Sequence, residues 1–312
     1  MQVLFCLLLM CGVALVARAR RSLSTPQTRA PQPSICCPGG GVFFWWQIGA
    51  MQRLLELYEL PTHLKLSGAS AGALAIVLSH CGVEASSAHA VAFRLAEAAN
   101  CLERPLGLCG RWGRLVHDWL DALLPMDAAE RCRDRCHVAV TRCSPLPAAR
   151  ALSDFGSRTE LIDALMKSTH IPFFMDGRPT RGGCADGELL GWLRVCSSLS
   201  ILCPSKVDRT NALVIAHTLD QPFLALCERN GWSAFSVRGT DEFMAHGAAW
   251  VDREEALGVD GHLRLLVPYR RRAAPPVPAT ARTAGCGRGS RRRSRSPPTR
   301  MPSKRRQALS SR

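Results

Sequence analysis

Residues 64–78 read LKLSGASAGALAIVL, two apolar runs separated by a turn of small residues. The first run, Leu64 to Leu66, predicts a β-strand, and the second predicts a buried helix through Leu78. The turn Gly68-Ala69-Ser70-Ala71-Gly72 has the Gly-x-Ser-x-Gly pattern of a nucleophile elbow, in which residues two positions from the serine must be small. We therefore predict that Ser70 is a nucleophile and that Gly68 and Gly72 permit its turn. A helix that simply begins with a serine cap gives the same letters, so the pattern alone is weak.

The upstream segment, residues 34–46, reads SICCPGGGVFFWW. Ser34 to Cys37 predicts a strand, and apolar residues at helical spacing predict a helix over about residues 45–57. Strand, helix, strand and helix in this order indicate a parallel βαβ unit. Gly39, Gly40 and Gly41 would then end the first strand beside the elbow, where free backbone N–H groups can hold a developing oxyanion.

A flexible turn or a phosphate-binding loop is the competing interpretation of these three glycines. A Walker-type loop has a Lys-Ser/Thr pair after its glycines, whereas this chain has Val42-Phe43-Phe44-Trp45-Trp46. Aromatic residues at this place suit a lipid chain or a protein core, and core packing is the more common of these roles.

A serine nucleophile also needs a base. Asp186-Gly187 lies in a glycine-rich loop, residues 181–188, that follows an apolar segment. An Asp-Gly pair by itself usually indicates only a turn. A carboxylate can accept the serine proton if it lies close to the hydroxyl and is partly desolvated, because desolvation raises its pKa.

Three motifs in this order resemble the patatin-like phospholipase family: Cys37-Pro38-Gly39-Gly40-Gly41, Gly68-Ala69-Ser70-Ala71-Gly72 and Asp186-Gly187. Residues 153–158 and 171–174 resemble the stretch before the catalytic aspartate in adiponutrin and adipose triglyceride lipase-type patatin domains. The resemblance covers about residues 34–200. It implies a three-layer α/β/α domain with a largely parallel central sheet, which we expect over residues 34–268.

The resemblance further implies a dyad of Ser70 and Asp186 without a catalytic histidine, with the oxyanion held by N–H groups of Gly39 to Gly41. Ser70 would attack an acyl ester of a glycerolipid, either a phospholipid or a neutral lipid, and water or a second glycerolipid would accept the acyl group. No metal or organic cofactor is implied. The expected partner is the glycerolipid at a membrane or lipid-droplet surface, and the oligomeric state is left open.

Three positions depart from the family pattern. Val42 and Phe43 stand where plant patatins carry a basic residue, Pro38 precedes the glycines in place of a small or polar residue, and Glu188 follows Asp-Gly in place of Gly or Ala. These departures support a second hypothesis, in which the protein is a catalytically weak or inactive relative that binds lipid or acts as a scaffold.

An α/β-hydrolase with a Ser-Asp-His triad is the other enzymatic alternative. Of the nine histidines, three lie late enough in the chain to complete a triad: His217, His246 and His262. A single histidine is more often a core or surface residue than a base, and none of the three lies in a recognisable loop signature. A dyad enzyme would tolerate the loss of all three.

The 15 cysteines include no CxxC pair. Cys132, Cys136 and His137 could suggest zinc, but a four-ligand site needs a second ligand pair at set spacing, and none is visible. Most of the cysteines are therefore interpreted as structural, and their disulfide status is left open.

The net charge of +15 belongs to the C-terminal tail. Residues 270–312 contain 14 Lys and Arg and no acidic residue, which leaves the rest of the chain near neutrality. Residues 269–312 are rich in Arg, Ser and Pro without apolar periodicity and are predicted to be disordered. Residues 291–296 could contact nucleic acid or anionic lipid headgroups, but no aromatic is interleaved with the arginines, so nucleic-acid binding is not expected.

The N-terminus has the features of a targeting segment. Val3 to Val16 is almost wholly apolar, and Ala17-Arg18-Ala19 has the small-x-small form of a cleavage site. The apolar run is shorter than the roughly 20 residues of a membrane span. A signal peptide over residues 1–19 is thus favoured over a signal anchor, followed by a linker or plastid transit segment over residues 20–33. The expected location is the secretory pathway, the endoplasmic reticulum or a membrane surface.

Overall fold

The computed structural model describes residues 34–101, 108–189, 212–232 and 239–271. The predicted signal peptide, the linker and the tail from residue 272 onward lie outside the described residues, so the statements made about them stay predictions. At the C-terminal end of the described chain, Arg271 N donates a hydrogen bond to Leu57 O at 2.8 Å. Arg271, three residues after Pro268, is therefore still hydrogen-bonded to the folded domain.

Six strands form one mixed sheet in the described part of the chain, ordered β4-β3-β2-β1-β6, with β5 beside β3. The strands are β1 (Ser34–Cys37), β2 (Lys65–Ala69), β3 (Cys136–Arg142), β4 (Ala148–Leu152), β5 (Cys184–Ala185) and β6 (Ala212–Val214). β1 pairs in parallel with β2 and β6, and β2 pairs in parallel with β3. β4 and β5 run antiparallel to β3. The expected α/β fold with a largely parallel sheet is confirmed.

The helices are α1 (Phe44–Leu57), α2 (Ala71–His80), α3 (Ala85–Ala98), α4 (Trp112–Leu123), α5 (Ala128–Cys132), α6 (Arg158–Ser168), α7 (Gln221–Asn230) and α8 (Thr240–Ala256). Short 3₁₀ helices lie at Gly41–Phe43, His217–Leu219, Gly258–Asp260 and His262–Tyr269. Within the described ranges, no helix combines the length and the apolar character needed to cross a bilayer.

Helix α1 is the centre of the hydrophobic core. It packs against α2 and α8, and most of its side chains are buried. Its exposed side is a short polar one near the C-terminus, where Arg53 and Glu56 form an ion pair. Trp46 is fully buried, and its Nε1 donates to Asp220 Oδ2 at 3.0 Å. Arg253 of α8 donates to the other oxygen, Oδ1, at 2.7 Å. The buried carboxylate of Asp220 therefore connects α1, α7 and α8, and its charge is compensated.

The position of β5 brings two distant segments together. β2 pairs with β3 up to Ala69, opposite Ala139, and then leaves the sheet at Ser70. β4 already occupies the other edge of β3 along residues 138–142. The two residues of β5, which pair with the last two of β3, must therefore lie on the edge that β2 has vacated. Asp186 follows β5 directly and so comes out beside the turn at Ser70.

Candidate active site

Ser70 lies at the junction of β2 and α2 in a strained backbone conformation. Its φ is 51° and its ψ is −125°, a combination that residues with a side chain rarely adopt. A Cβ added to Gly68 would press on the backbone of the next turn, and one added to Gly72 would overlap the carbonyl oxygen of Cys37. Both glycines are thus required sterically, as the elbow pattern predicts. Such strain is concentrated at functional sites.

Asp186 is buried beside Ser70, the predicted nucleophile. Its side chain is 7% exposed. Oδ1 accepts a hydrogen bond from Glu188 N at 2.8 Å. Burial raises the pKa of Asp186 to about 7, the Ser70 side chain and the Glu188 N–H lower it, and the neighbouring Glu188 carboxylate raises it. A carboxyl group with this pKa is a much stronger base than an ordinary aspartate.

Ser168, at the end of α6, ties the elbow to the Asp-Gly loop. Its Oγ accepts a hydrogen bond from Ser70 N at 2.9 Å and donates one to Ala139 O at 2.6 Å. Its carbonyl oxygen accepts a hydrogen bond from Gly187 N at 2.9 Å. One buried serine therefore fixes three chain segments around the site. Ser168 is not predicted from the sequence, because a serine at the end of a helix carries no sign of a contact 98 positions away.

Of the three glycines in the predicted oxyanion loop, Gly39 lies next to Ser70. Its N–H donates to Glu188 Oε1 at 3.1 Å. A Cβ placed on Gly39 would lie 3.2 Å from the Cβ of Ser70, so the loop and the serine are in close proximity. Gly41 follows with a φ of 58° and opens the 3₁₀ helix. The first N–H groups of α2, which have no partner within the helix, are a second source of donors.

Gln47 of α1 orients this donor. Its side chain is fully buried, and Nε2 donates to the carbonyl oxygen of Pro38 at 2.6 Å. The C=O and N–H of a trans peptide point in opposite directions. By holding Pro38 O on the helix side, Gln47 therefore directs the Gly39 N–H toward the site. No local pattern in the sequence indicates this role.

No imidazole nitrogen is hydrogen-bonded to Ser70 or Asp186 among the described residues. His217 lies beside Gly40 instead, where a Cβ added to Gly40 would be 3.3 Å from its ring, and its ring centroid lies 4.2 Å from that of Phe43. Its Nδ1 is buried without a hydrogen-bond partner in the described part of the chain, and burial lowers the pKa of His217 to about 4. The other two candidates, His246 and His262, pack against aromatic rings near α8. The structure does not bring these histidines together with the predicted nucleophile.

An apolar cavity of about 110 Å³ reaches Ser70. Its walls come from helices α1 to α4 and from the loop after α6, and they include Val42, Phe44, Leu74, Val116, Trp119 and Ile171. Ser70 and Thr169 contribute the only hydroxyl groups among the lining residues. Phe44 and Trp45 line the cavity, and Trp46 belongs to the core, so the aromatic run after the glycines contributes to both.

No disulfide joins the described cysteines to one another. Cys132 Sγ lies 3.6 Å from Cys81 Sγ in the protein interior. Over the described ranges, no three His, Cys, Asp or Glu side chains are arranged to hold a metal ion. The dyad, the oxyanion loop and the cavity are therefore the candidate functional features in this part of the chain.

Comparison with known proteins gives a consistent result. The family model described as patatin-like phospholipase matches residues 35–192, about half of the chain. The omega-hydroxyceramide transacylases of Homo sapiens and Mus musculus are each 29% identical to it over 144 residues, 45% of this chain and 27% and 24% of theirs. The chain thus spans about a quarter of the length of these relatives.

Solved structures give weaker matches. The ExoU–SpcU complex of the Pseudomonas aeruginosa type III secretion system is 14% identical, with a TM-score of 0.39 over 78% of this chain and 53% of that one. VipD from Legionella pneumophila is 15% identical, with a TM-score of 0.29 over 63% of this chain and 54% of that one. These scores carry no weight for function. On the match of its family model, which spans all three sequence motifs, the chain belongs to the patatin-like phospholipase family.

Proposed function

We propose that this protein is a serine acyl-ester hydrolase that acts on glycerolipids through a dyad of Ser70 and Asp186. Family membership indicates a lipid acyl hydrolase or acyltransferase. The proposal adds the two catalytic residues, the oxyanion loop at Gly39 to Gly41 and the substrate class. Secretory routing and contact with a membrane or lipid-droplet surface remain predictions from the N-terminal sequence and the family.

One observation carries the proposal. The Ser70 side chain interacts with the buried carboxylate of Asp186, whose pKa burial raises to about 7. Ser70 also lines the apolar cavity and lies close to Gly39. The nearby imidazole of His217 has a pKa lowered to about 4 by burial. Its Nδ1 has no hydrogen-bond partner in the described part of the chain, so it is not placed to accept the Ser70 proton. This observation favours a dyad over a triad.

The geometry supports a two-step acyl transfer. The acyl chain of the ester lies in the apolar cavity, and Ser70 Oγ attacks the ester carbonyl as Asp186 accepts its proton. Backbone N–H groups of the glycine loop hold the oxyanion of the tetrahedral intermediate. Asp186 then returns the proton to the departing alcohol and leaves an acyl ester on Ser70. Water attacks this ester while Asp186 again accepts a proton, which releases the fatty acid and restores the serine.

The test is hydrolysis of a panel of dispersed phospholipids, diacylglycerols and triacylglycerols. Fatty-acid release should be lost in Ser70→Ala and should fall roughly 100- to 10,000-fold in Asp186→Asn, the range expected for a general base. Ser79→Ala is the matched control. Its hydroxyl is buried on the same helix and has no hydrogen-bond partner among the described residues, so activity should persist. Equal release by wild type and Ser70→Ala would show that Ser70 does no chemistry.

A second candidate is acyl transfer to an alcohol in place of water. The similarity to two omega-hydroxyceramide transacylases favours it. The first half of the reaction is the same, and only the acceptor of the acyl group differs. Mass spectrometry of products from a labelled acyl donor mixed with a long-chain alcohol would separate the two: a labelled ester indicates transfer, and labelled fatty acid alone indicates hydrolysis.

A further inference from the structure

The side chain of Glu188 lies at the point where the oxyanion of the proposed reaction would form. Its Oε1 accepts the hydrogen bond of Gly39 N at 3.1 Å. Its Cγ lies 2.5 Å from the position that a Cβ on Gly39 would take, and the Cβ of Ser70 lies 3.2 Å from the same position. The nucleophile, the loop donor and the Glu188 side chain therefore meet in one small region.

The Glu188 carboxylate and the oxyanion of the reaction would compete for the same hydrogen-bond donor. Each needs the Gly39 N–H, and each carries negative charge, so the two cannot occupy it together without strong repulsion in a partly desolvated site. Among the described residues, the titratable groups around Glu188 carry no positive charge that compensates it. Asp186 is a second carboxyl group, and His217, across Gly40, is held neutral because burial lowers its pKa. Burial also raises the pKa of Glu188, whereas the Gly39 N–H lowers it.

We propose that Glu188 occupies the oxyanion site of the resting protein and must release the Gly39 N–H before an ester can react. This inference rests on the proposed function and concerns the control of that same site. In the family pattern this position is Gly or Ala, which has no side chain able to reach the donor. Glu188 thus makes the site of this chain self-inhibited, and turnover requires a substrate that can displace the carboxylate.

The size of the effect follows from the donor that is blocked. A single oxyanion donor contributes roughly 100- to 1000-fold to kcat. We expect Glu188→Ala, which frees the Gly39 N–H, to raise kcat at least tenfold. Glu188→Gln keeps an acceptor of the same size on Gly39 but removes the charge, so its rate should lie between the two. If kcat rises from wild type through Glu188→Gln to Glu188→Ala, the effect comes from occupancy of the Gly39 N–H and not from a general change in loop packing.

The experiment measures two rates that do not depend on the natural lipid. One is the hydrolysis of p-nitrophenyl butyrate, and the other is the labelling of Ser70 by a fluorophosphonate, read by peptide mass. The proteins are wild type, Glu188→Gln, Glu188→Ala, the double variant Ser70→Ala/Glu188→Ala and the control Glu160→Ala. The Glu160 side chain accepts a hydrogen bond at 2.8 Å from the N–H of Gly156, which lies in an exposed loop. Glu160→Ala therefore also removes a contact between a glutamate and a glycine N–H, but at a place away from the site.

We expect faster hydrolysis and faster labelling in both single Glu188 variants. Glu160→Ala should react at wild-type rates, and the double variant should not be labelled at position 70. Equal or slower rates in Glu188→Ala, with Ser70 labelled in the wild type, would overturn the inference and leave the proposed function standing. If Glu188→Ala does not fold by circular dichroism, Glu188→Gln decides by the same criterion. No labelling of Ser70 in any of the proteins would overturn the proposed function, and the inference with it.

Discussion

Replacing Asp186 by Asn should stabilise the fold at alkaline pH although it removes the proposed base. Burial raises the pKa of Asp186 from 3.8 to about 7. Each pKa unit corresponds to about 1.4 kcal/mol, so ionised Asp186 costs the native state of the order of 4 kcal/mol relative to the unfolded chain. Asn keeps the oxygen that accepts the Glu188 N–H and carries no charge.

The pH window follows from the sign of the shift. Because the folded-state pKa is raised, the stability contributed by neutral Asp186 is fully present below about pH 4 and is lost as the pH rises through about 7. Asn does not titrate. Asp186→Asn should therefore resemble wild type near pH 4 and exceed its free energy of unfolding by up to about 4 kcal/mol at pH 8.

Urea denaturation followed by circular dichroism at both pH values measures this difference. Asp163→Asn is the contrasting control: burial raises the pKa of Asp163, but hydrogen bonds from Lys167 at 2.7 Å and Arg181 at 3.0 Å outweigh it, so the net pKa is lowered. The stability from that carboxylate is lost as the pH falls, and its Asn variant should be less stable than wild type at pH 8. If Asp186→Asn is no more stable than wild type at pH 8, burial does not raise the pKa of Asp186.

Three further substitutions test other parts of the site. Gln47→Leu removes the amide that holds Pro38 O, so kcat on p-nitrophenyl butyrate should fall at least tenfold with little change in KM, given the weight of one oxyanion donor; an unchanged kcat would exclude the orienting role. Gly72→Ala forces a methyl group onto the Cys37 carbonyl and should lower the free energy of unfolding by about 3 kcal/mol, measured by urea denaturation; wild-type stability would show that the turn can relax. Leu74→Trp fills the cavity and should slow hydrolysis of a palmitoyl ester far more than that of a butyrate ester; an equal loss on both would argue against an acyl pocket.

Local patterns predict the elements that carry the catalytic motifs. β1 has the bounds expected from the sequence, and α1 begins within a residue of its expected start. β4 and β5 are not predicted. The sequence of β4, AARAL, lacks strand alternation, and β5 has only two residues, so both owe their conformation to pairing with β3. Context-dependent pairing of this kind is typical of edge and short strands.

The residues of the candidate site likewise fall into those that local motifs predict and those that depend on long-range contacts. Ser70, Asp186 and the glycines stand in compact motifs whose chemistry can be inferred from a few neighbouring letters. The roles of Gln47 and Ser168, and the contact of Glu188 with Gly39 across 149 positions, exist only once the sheet has formed. Glu188 is visible in the sequence as a departure from the family pattern, but its target on the glycine loop is not.

The most direct measurement of the central claim is the mass of the intact protein after reaction with a fluorophosphonate, followed by peptide mapping. A Ser70 hydroxyl activated by Asp186 predicts one covalent adduct on the peptide that contains Ser70, absent in Ser70→Ala and formed much more slowly in Asp186→Asn. An adduct on another residue, or one that forms equally fast without the Asp186 carboxylate, would contradict the account.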